Sequence, residues 1–175
     1  MASIPVASRL IELAETDVRY AIPKSELDSI LSASPFVHVS GTFNTRDIGQ
    51  LPGSPIRPGY IFRSGSLESL DETGKRQLTN QLGIKKIFDL RADHERERYP
   101  EPNIPGVENV WLPNSYSNTI NIGDFVSGGG EEGYCKMYMD IMEVYASTFK
   151  SVLEHVRAQP GKPFLFHCAR ELITY

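Results

Sequence analysis

Gly83-Ile84-Lys85-Lys86-Ile87-Phe88-Asp89-Leu90 lies near the middle of a chain of 175 residues, and the reading of its neighbours follows from it. Residues 84–90 form a near-continuous apolar run, the pattern of a parallel strand covered on both faces. Just upstream, Ser69-Leu70-Asp71-Glu72 has the form of a capping box. In that motif Ser69 accepts from an orphan amide of the first turn and Glu72 reaches back. A helix through Leu82 follows, with Leu78 and Leu82 four residues apart, and Gly83 supplies a left-handed stop.

The same alternation of helix and strand extends outward in both directions. Upstream, residues 6–16 and 24–32 read as helices. Leu10, Leu13 and Ala14 share a face of the first, and Pro23 suits the first turn of the second. Residues 36–39 alternate like a strand, 51–58 are rich in Pro and Gly and read as a loop, and Tyr60-Ile61-Phe62-Arg63 is a short strand. Downstream, Val110-Trp111-Leu112 is another short strand. Residues 136–158 are the strongest helix, with Met142, Tyr145, Phe149, Val152, Leu153 and Val156 on one stripe. Pro160-Gly161-Lys162-Pro163 ends it, and residues 164–167 return as a strand. The expected class is α/β, a central, mostly parallel sheet flanked by helices. The division expected is an N-terminal helical segment over 1–35 and an α/β domain over 36–175.

Composition narrows the partners. Apolar residues make up 40% of the chain, enough for a core, and the formal net charge is −4 with both signs dispersed. No basic block points to nucleic acid. No stretch approaches the ~18 apolar residues of a membrane helix, and the N-terminus lacks a basic region followed by an apolar one. A cytoplasmic protein without a membrane span is the expectation. Cys135 and Cys168 read as two reduced thiols. No metal or other cofactor is expected, since His167 and Cys168 are strand neighbours whose side chains diverge. The polar segment 116–133 holds Gly128-Gly129-Gly130, but Glu131 and Glu132 come directly after it and would repel an anion. It reads as a flexible loop over a site.

The candidate chemistry lies at Phe164-Leu165-Phe166-His167-Cys168. A loop leaving the carboxyl end of a parallel strand for a helix N-terminus is an anion site, because free N–H groups and the helix dipole face the ligand. A cysteine there has its thiolate stabilised, from ~8.5 toward ~3.5–7.5, and can take a phosphoryl group onto sulfur. An arginine closing the loop holds two oxygens as a planar fork, and a carboxylic acid from another strand end protonates the leaving oxygen. Cys168 stands where the nucleophile belongs, although a cysteine after an apolar strand also serves as a small buried hydrophobe. Asp89 and Arg91 emerge at the end of 84–90, near a sheet edge. Arg91 with Glu95, four residues on, reads as an ion pair at the start of a helix.

Taken together, several stretches resemble the tyrosine-phosphatase-like family of fungal and bacterial proteins with a dual protein and lipid substrate range. They are Asn44-Thr45-Arg46-Asp47-Ile48-Gly49, Ile61-Phe62-Arg63-Ser64-Gly65, the run from Gly83 through Arg91 and Glu95, and Phe164-Leu165-Phe166-His167-Cys168-Ala169. Their order and spacing match from about residue 36 to 169. The resemblance implies a protein-tyrosine-phosphatase-like fold, with Cys168 as nucleophile and Asp89 as candidate general acid. It also implies His167 and Ala169 in the phosphate loop, and Arg46, Asp47 and Arg91 as flanking or structural residues. The substrate it implies is a phosphorylated protein or a small phosphate ester.

The family pattern then continues with small residues and Gly-Lys-Asp-Arg-Thr-Gly, whereas this chain has Ala169-Arg170-Glu171-Leu172-Ile173-Thr174-Tyr175. The arginine of His-Cys-x5-Arg falls at Thr174, Arg170 is too close to Cys168 to replace it, and Glu171 adds negative charge. The sequence therefore reads as a form truncated within the phosphate loop. It is expected to lack the following helices and to be deficient in activity, marginally stable and prone to self-association through uncovered apolar surface. Two alternatives stand beside it: a non-catalytic binding or regulatory protein on the same scaffold, and an unrelated α/β domain with thiol-redox chemistry through Cys135 and Cys168.

Overall fold

Phe62, Leu165 and Ile87 fall in one row across three neighbouring parallel strands, and this row is the centre of the fold. The computed structural model describes residues 11–13, 15–17, 19–112, 122–126 and 130–168. Five strands, β1 (Arg46–Asp47), β2 (Ile61–Ser64), β3 (Lys86–Asp89), β4 (Glu108–Trp111) and β5 (Phe164–His167), form one sheet in the order β1-β2-β5-β3-β4. β1 runs antiparallel to β2, and every other pairing is parallel. The α/β class with a mostly parallel sheet is thus the observed one.

Alternation along β5 builds two cores, because successive side chains take opposite faces. Leu165, Phe62 and Ile87 join Val39, Leu67, Leu70, Leu78, Ile84 and Ile104 on one face. Phe164 and Phe88 join Tyr60 on the other, under Val152 and Val156. The helices are α1 (Lys24–Leu31), α2 (Glu72–Arg76), α3 (Asp93–Arg98), α4 (Glu131–Val144) and α5 (Ala146–Ala158). α2 widens into a π turn over Gln77–Gln81, and Gly83 ends the unit at φ +68°.

Four local expectations are corrected. Asp71, not Ser69, caps α2: its carboxylate accepts from the Gly74 N–H at 2.7 Å, so the helix starts at Glu72, the last residue of the capping-box motif, rather than at Leu70. Residues 36–39 make no strand beyond a single bridge from Phe36 to Arg46, because the chain turns at Gly41 (φ +76°) before a ladder can extend. The long helix over 136–158 is two helices. α4 starts earlier, at Glu131, and Tyr145 (φ −93°, ψ 14°) separates it from α5. The stripe is then split as well: Val152 and Val156 pack on the sheet, whereas Met142 and Leu153 are exposed. The helix expected over 6–16 lies mostly outside the described residues, as do half of the 116–133 loop and the whole tail after Cys168.

His155 sits on the buried face of α5, against the ring edges of Phe164 at 5.1 Å and Phe88 at 5.7 Å. Burial, aided by nearby Lys86, pushes its pKa below the ordinary value. The unfolded chain binds this proton near pH ~6.5 while the folded ring resists it. Stability should therefore fall as pH drops below that value, until the lowered folded pKa is passed. Urea midpoints taken at about pH 7.5 and 5.5 check this, and His155→Phe should flatten the dependence. An unchanged slope in that variant would clear His155 of the effect.

Candidate active site

The parallel register sets the last residues of β2, β5 and β3 side by side: Ser64, His167 and Asp89 form one row. All three are buried on the face of Leu165, and His167 leads directly into half-buried Cys168. A hydroxyl chain closes the β2 side, from Ser64 Oγ to Thr45 Oγ1 at 2.8 Å and on to Thr42 Oγ1 at 2.7 Å.

On the β3 side Arg91 folds back onto the row. Its Nε donates to Asp89 Oδ1 at 2.9 Å and its Nη2 to Oδ2 at 2.8 Å, a bidentate fork. The Arg91 N–H adds a third bond to Oδ1 at 3.1 Å. Nη2 also donates to Glu101 Oε2 at 2.6 Å, and Nη1 to the Tyr99 carbonyl at 2.7 Å. The other Glu101 oxygen, Oε1, lies 3.1 Å from His167 Nε2, while Asp89 Oδ1 stands 3.7 Å from that nitrogen. Two carboxylates, a guanidinium and an imidazole thus share one buried cluster beneath the Cys168 edge.

This network changes how Asp89 can act. Burial works to raise its pKa. The hydrogen bonds from Arg91, with the charges of His167 and Arg91, outweigh that and hold the carboxyl below its ordinary range. A fully buried carboxylate clasped by a guanidinium is a poor proton donor at neutral pH. The expected pair of Arg91 with Glu95 is also corrected: Glu95 Oε2 turns back to accept from the Ala92 N–H at 2.9 Å, at the start of α3.

Asp47 and Arg46 serve the chain around β1. Asp47 accepts from the N–H groups of Gly59 at 2.7 Å and Gly49 at 2.9 Å, and from Gln50 Nε2 at 2.9 Å, so it clasps the loop between β1 and β2. Arg46 Nη1 donates to the Asn44 carbonyl at 2.9 Å. Cys135 is exposed on α4, and neither cysteine is in a disulfide. Ala169 lies outside the described residues.

Residues 37–170 match a family model described as the tyrosine phosphatase family. The chain belongs to the tyrosine phosphatase family. It is also similar to the triple specificity protein phosphatase PtpB of Mycobacterium tuberculosis (strain ATCC 25618 / H37Rv), with 36% identity over 74 residues. That match takes in 42% of this chain and spans about a quarter, 26%, of the relative's length.

In this tyrosine phosphatase family chain, Asp89, Glu101 and His167 bring ligand atoms within 4.8 Å of one another, a group that could hold a metal ion. Arg91 already donates to both carboxylates, through Nε and Nη2 to Asp89 and through Nη2 to Glu101, so the two acids share one resident cation. Glu101 is the site residue that sequence reasoning missed. Its only local signal is the flanking pair of prolines in Pro100-Glu101-Pro102, which restrict the backbone that presents it.

Proposed function

We propose that the Cys168 edge of the sheet performs Cys-dependent hydrolysis of phosphomonoesters, with phosphotyrosine in a protein or a related phosphate ester as substrate. The observation that carries this is the position of Cys168, half-buried at the carboxyl end of the central parallel strand of a tyrosine phosphatase family chain. The sulfur attacks phosphorus and the ester oxygen leaves; water then cleaves the thiol-phosphate, giving inorganic phosphate and the free thiol. His167 and Ala169 belong to the phosphate loop in this reading. Asp89, Arg91 and Glu101 hold the strand end, with Asp89 acting as an anchor rather than as the proton donor. A cytoplasmic setting suits the chemistry, because a thiol nucleophile needs a reducing compartment.

p-Nitrophenyl phosphate is the appropriate probe, since its leaving group needs no general acid. The chain as given, with Thr174 where the family has arginine, should turn it over ~10²–10³ times more slowly than one carrying the family's complete loop, the scale of one lost oxyanion contact. Cys168→Ser should abolish turnover in the latter. Activity surviving that change would overturn the nucleophile assignment, and equal rates in the two chains would overturn the deficiency. A non-catalytic phosphate-binding or regulatory role is the second reading, favoured by Thr174.

Self-association is part of the same proposal. Met139, Met142 and Leu153 expose 70%, 59% and 66% of their surfaces on α4 and α5, and apolar area of this kind favours association. Size-exclusion chromatography over a range of concentrations should show a shift that Leu153→Lys reduces. A concentration-independent monomer peak would refute it.

A further inference from the structure

The amino ends of β5, β3 and β4 surround a recess at the opposite end of the strands from Cys168. Its volume is about 450 Å³, within the ~300–1,000 Å³ usual for small-molecule sites. Lys85, Lys86 and Lys162 line it, against a single acid, Glu108. Lys86 is committed, since its Nζ pairs with Glu108 Oε2 at 3.0 Å. The ammonium groups of Lys85 and Lys162 have no ion pair or hydrogen bond among the described residues. The backbone fixes where Lys85 sits. Its N–H donates to the Pro163 carbonyl at 3.0 Å, and its carbonyl accepts from the Glu108 N–H at 3.0 Å.

His155 is a second, independent sign of a ligand. The residue is 5% exposed and forms part of the wall, and neither ring nitrogen has a hydrogen-bond partner among the described residues. The Lys162 N–H comes near the ring but donates to the Gln159 carbonyl at 3.1 Å. A neutral imidazole carries one donor and one acceptor, and leaving both buried and unpaired is unfavourable. Packing alone does not call for an imidazole, because the contacts with Phe164 and Phe88 are ring edges that a phenyl group also makes.

We propose that this recess binds a small organic phosphate, with Lys85 and Lys162 on the phosphate and His155 facing the hydroxyl-bearing body. Two uncommitted ammonium groups match the charge of a phosphate monoester, about −1.5 to −2 at neutral pH, whereas a single carboxylate leaves one of them unanswered. Lysine serves phosphate well as a point charge. The recess is larger than a bare phosphate fills, which is the reason for a body. Two features oppose an anion, Glu108 and the carbonyl end of α5. Glu108 is answered by Lys86, and the helix end amounts to roughly half a charge against two full ones. None of this depends on the chemistry of Cys168.

Carbon–proton correlation spectra of the His155 ring, at constant ionic strength and about pH 7.5, where the ring is neutral, read this site locally. The His155 signals are identified by their loss in His155→Phe. Inorganic phosphate should move them saturably with a Kd in the millimolar range, and sorbitol 6-phosphate should bind several-fold more tightly. Lys85→Glu and Lys162→Glu should each weaken binding by about tenfold or more, the scale of one lost charged contact. Lys150→Glu, the same change of charge on an exposed position of α5, should leave it unaltered. Signals in the wild type that do not move would overturn the proposal whether or not the variants fold. So would a shift that survives both Lys85→Glu and Lys162→Glu, as phosphate held only at the Cys168 edge would give, and so would an ester that binds no better than inorganic phosphate. No readout here needs turnover, so failure of phosphate-ester hydrolysis would strike the proposed function and leave this result standing.

Discussion

Arg91→Met should destabilise the protein by about 3–5 kcal/mol, the usual loss when one partner of a buried ion pair is removed. Arg91 is 2% exposed, and without it the buried carboxylates of Asp89 and Glu101 lose the cation they share, leaving Asp89 only the longer contact to Arg96 Nη1 at 3.8 Å. A loss of that size approaches the whole stability of many domains, ~5–15 kcal/mol. It also carries a pH signature. In the wild type the folded Asp89 pKa lies below its unfolded value of ~3.9, so its contribution is complete above that value and is lost as pH falls through the folded one. In the variant burial loses its main opponent and the folded pKa rises, so acid relieves the stranded carboxyl. The gap between the two proteins should narrow from pH 7 toward pH 4 in urea titrations, and adding Asp89→Asn to the variant should recover part of the loss. A destabilisation under ~1 kcal/mol would mean that water reaches these carboxylates.

Phe164→Ala should cost a similar amount, about 3–5 kcal/mol. Phe164 is fully buried, and its ring meets the edges of Tyr60 at 5.6 Å, Phe88 at 5.6 Å and His155 at 5.1 Å. Truncation loses the transfer free energy of a ring, leaves a cavity, and removes three edge-to-face contacts worth ~0.5–1.5 kcal/mol apiece. Phe164→Leu fills most of the volume and should cost markedly less. Chemical denaturation compares the two, and equal losses would mean that the site collapses around either side chain.

What could be read without coordinates was whatever depends on neighbours in sequence. The apolar runs around Ile87 and Leu165, the stop at Gly83 and the short strand at Phe62 were visible because period-2 burial and a left-handed glycine are local signals. Tyr145 gave no warning of the break between α4 and α5, since nothing in its own propensity forbids a continuous helix and tertiary packing decides the matter. Ser69 looked the better cap, yet Asp71 is one because the helix begins two residues later than the motif suggested. The site was half legible. His167, Cys168, Asp89 and Arg91 were singled out, but the partners of Arg91 depend on a loop that returns from beyond α3 with Glu101, and the meeting of Asp89 with His167 depends on strand register. Neither is written in spacing.

The place of β5 in the sheet has a consequence for how the molecule comes to be folded. β2 bonds to β1 and β5, and β3 to β4 and β5, so within the sheet the two earlier pairs are joined only through β5. A growing polypeptide can assemble β1 with β2, and β3 with β4, but these remain separate halves with apolar edges bare until residues 164–167 emerge. Closing the sheet then joins partners far apart along the chain, which is the slow kind of step and leaves unpaired edges waiting meanwhile. The strand that presents the thiol is thus also the last piece to be synthesised among the five, and a nascent chain halted before it would be an aggregation hazard rather than a smaller version of the same domain.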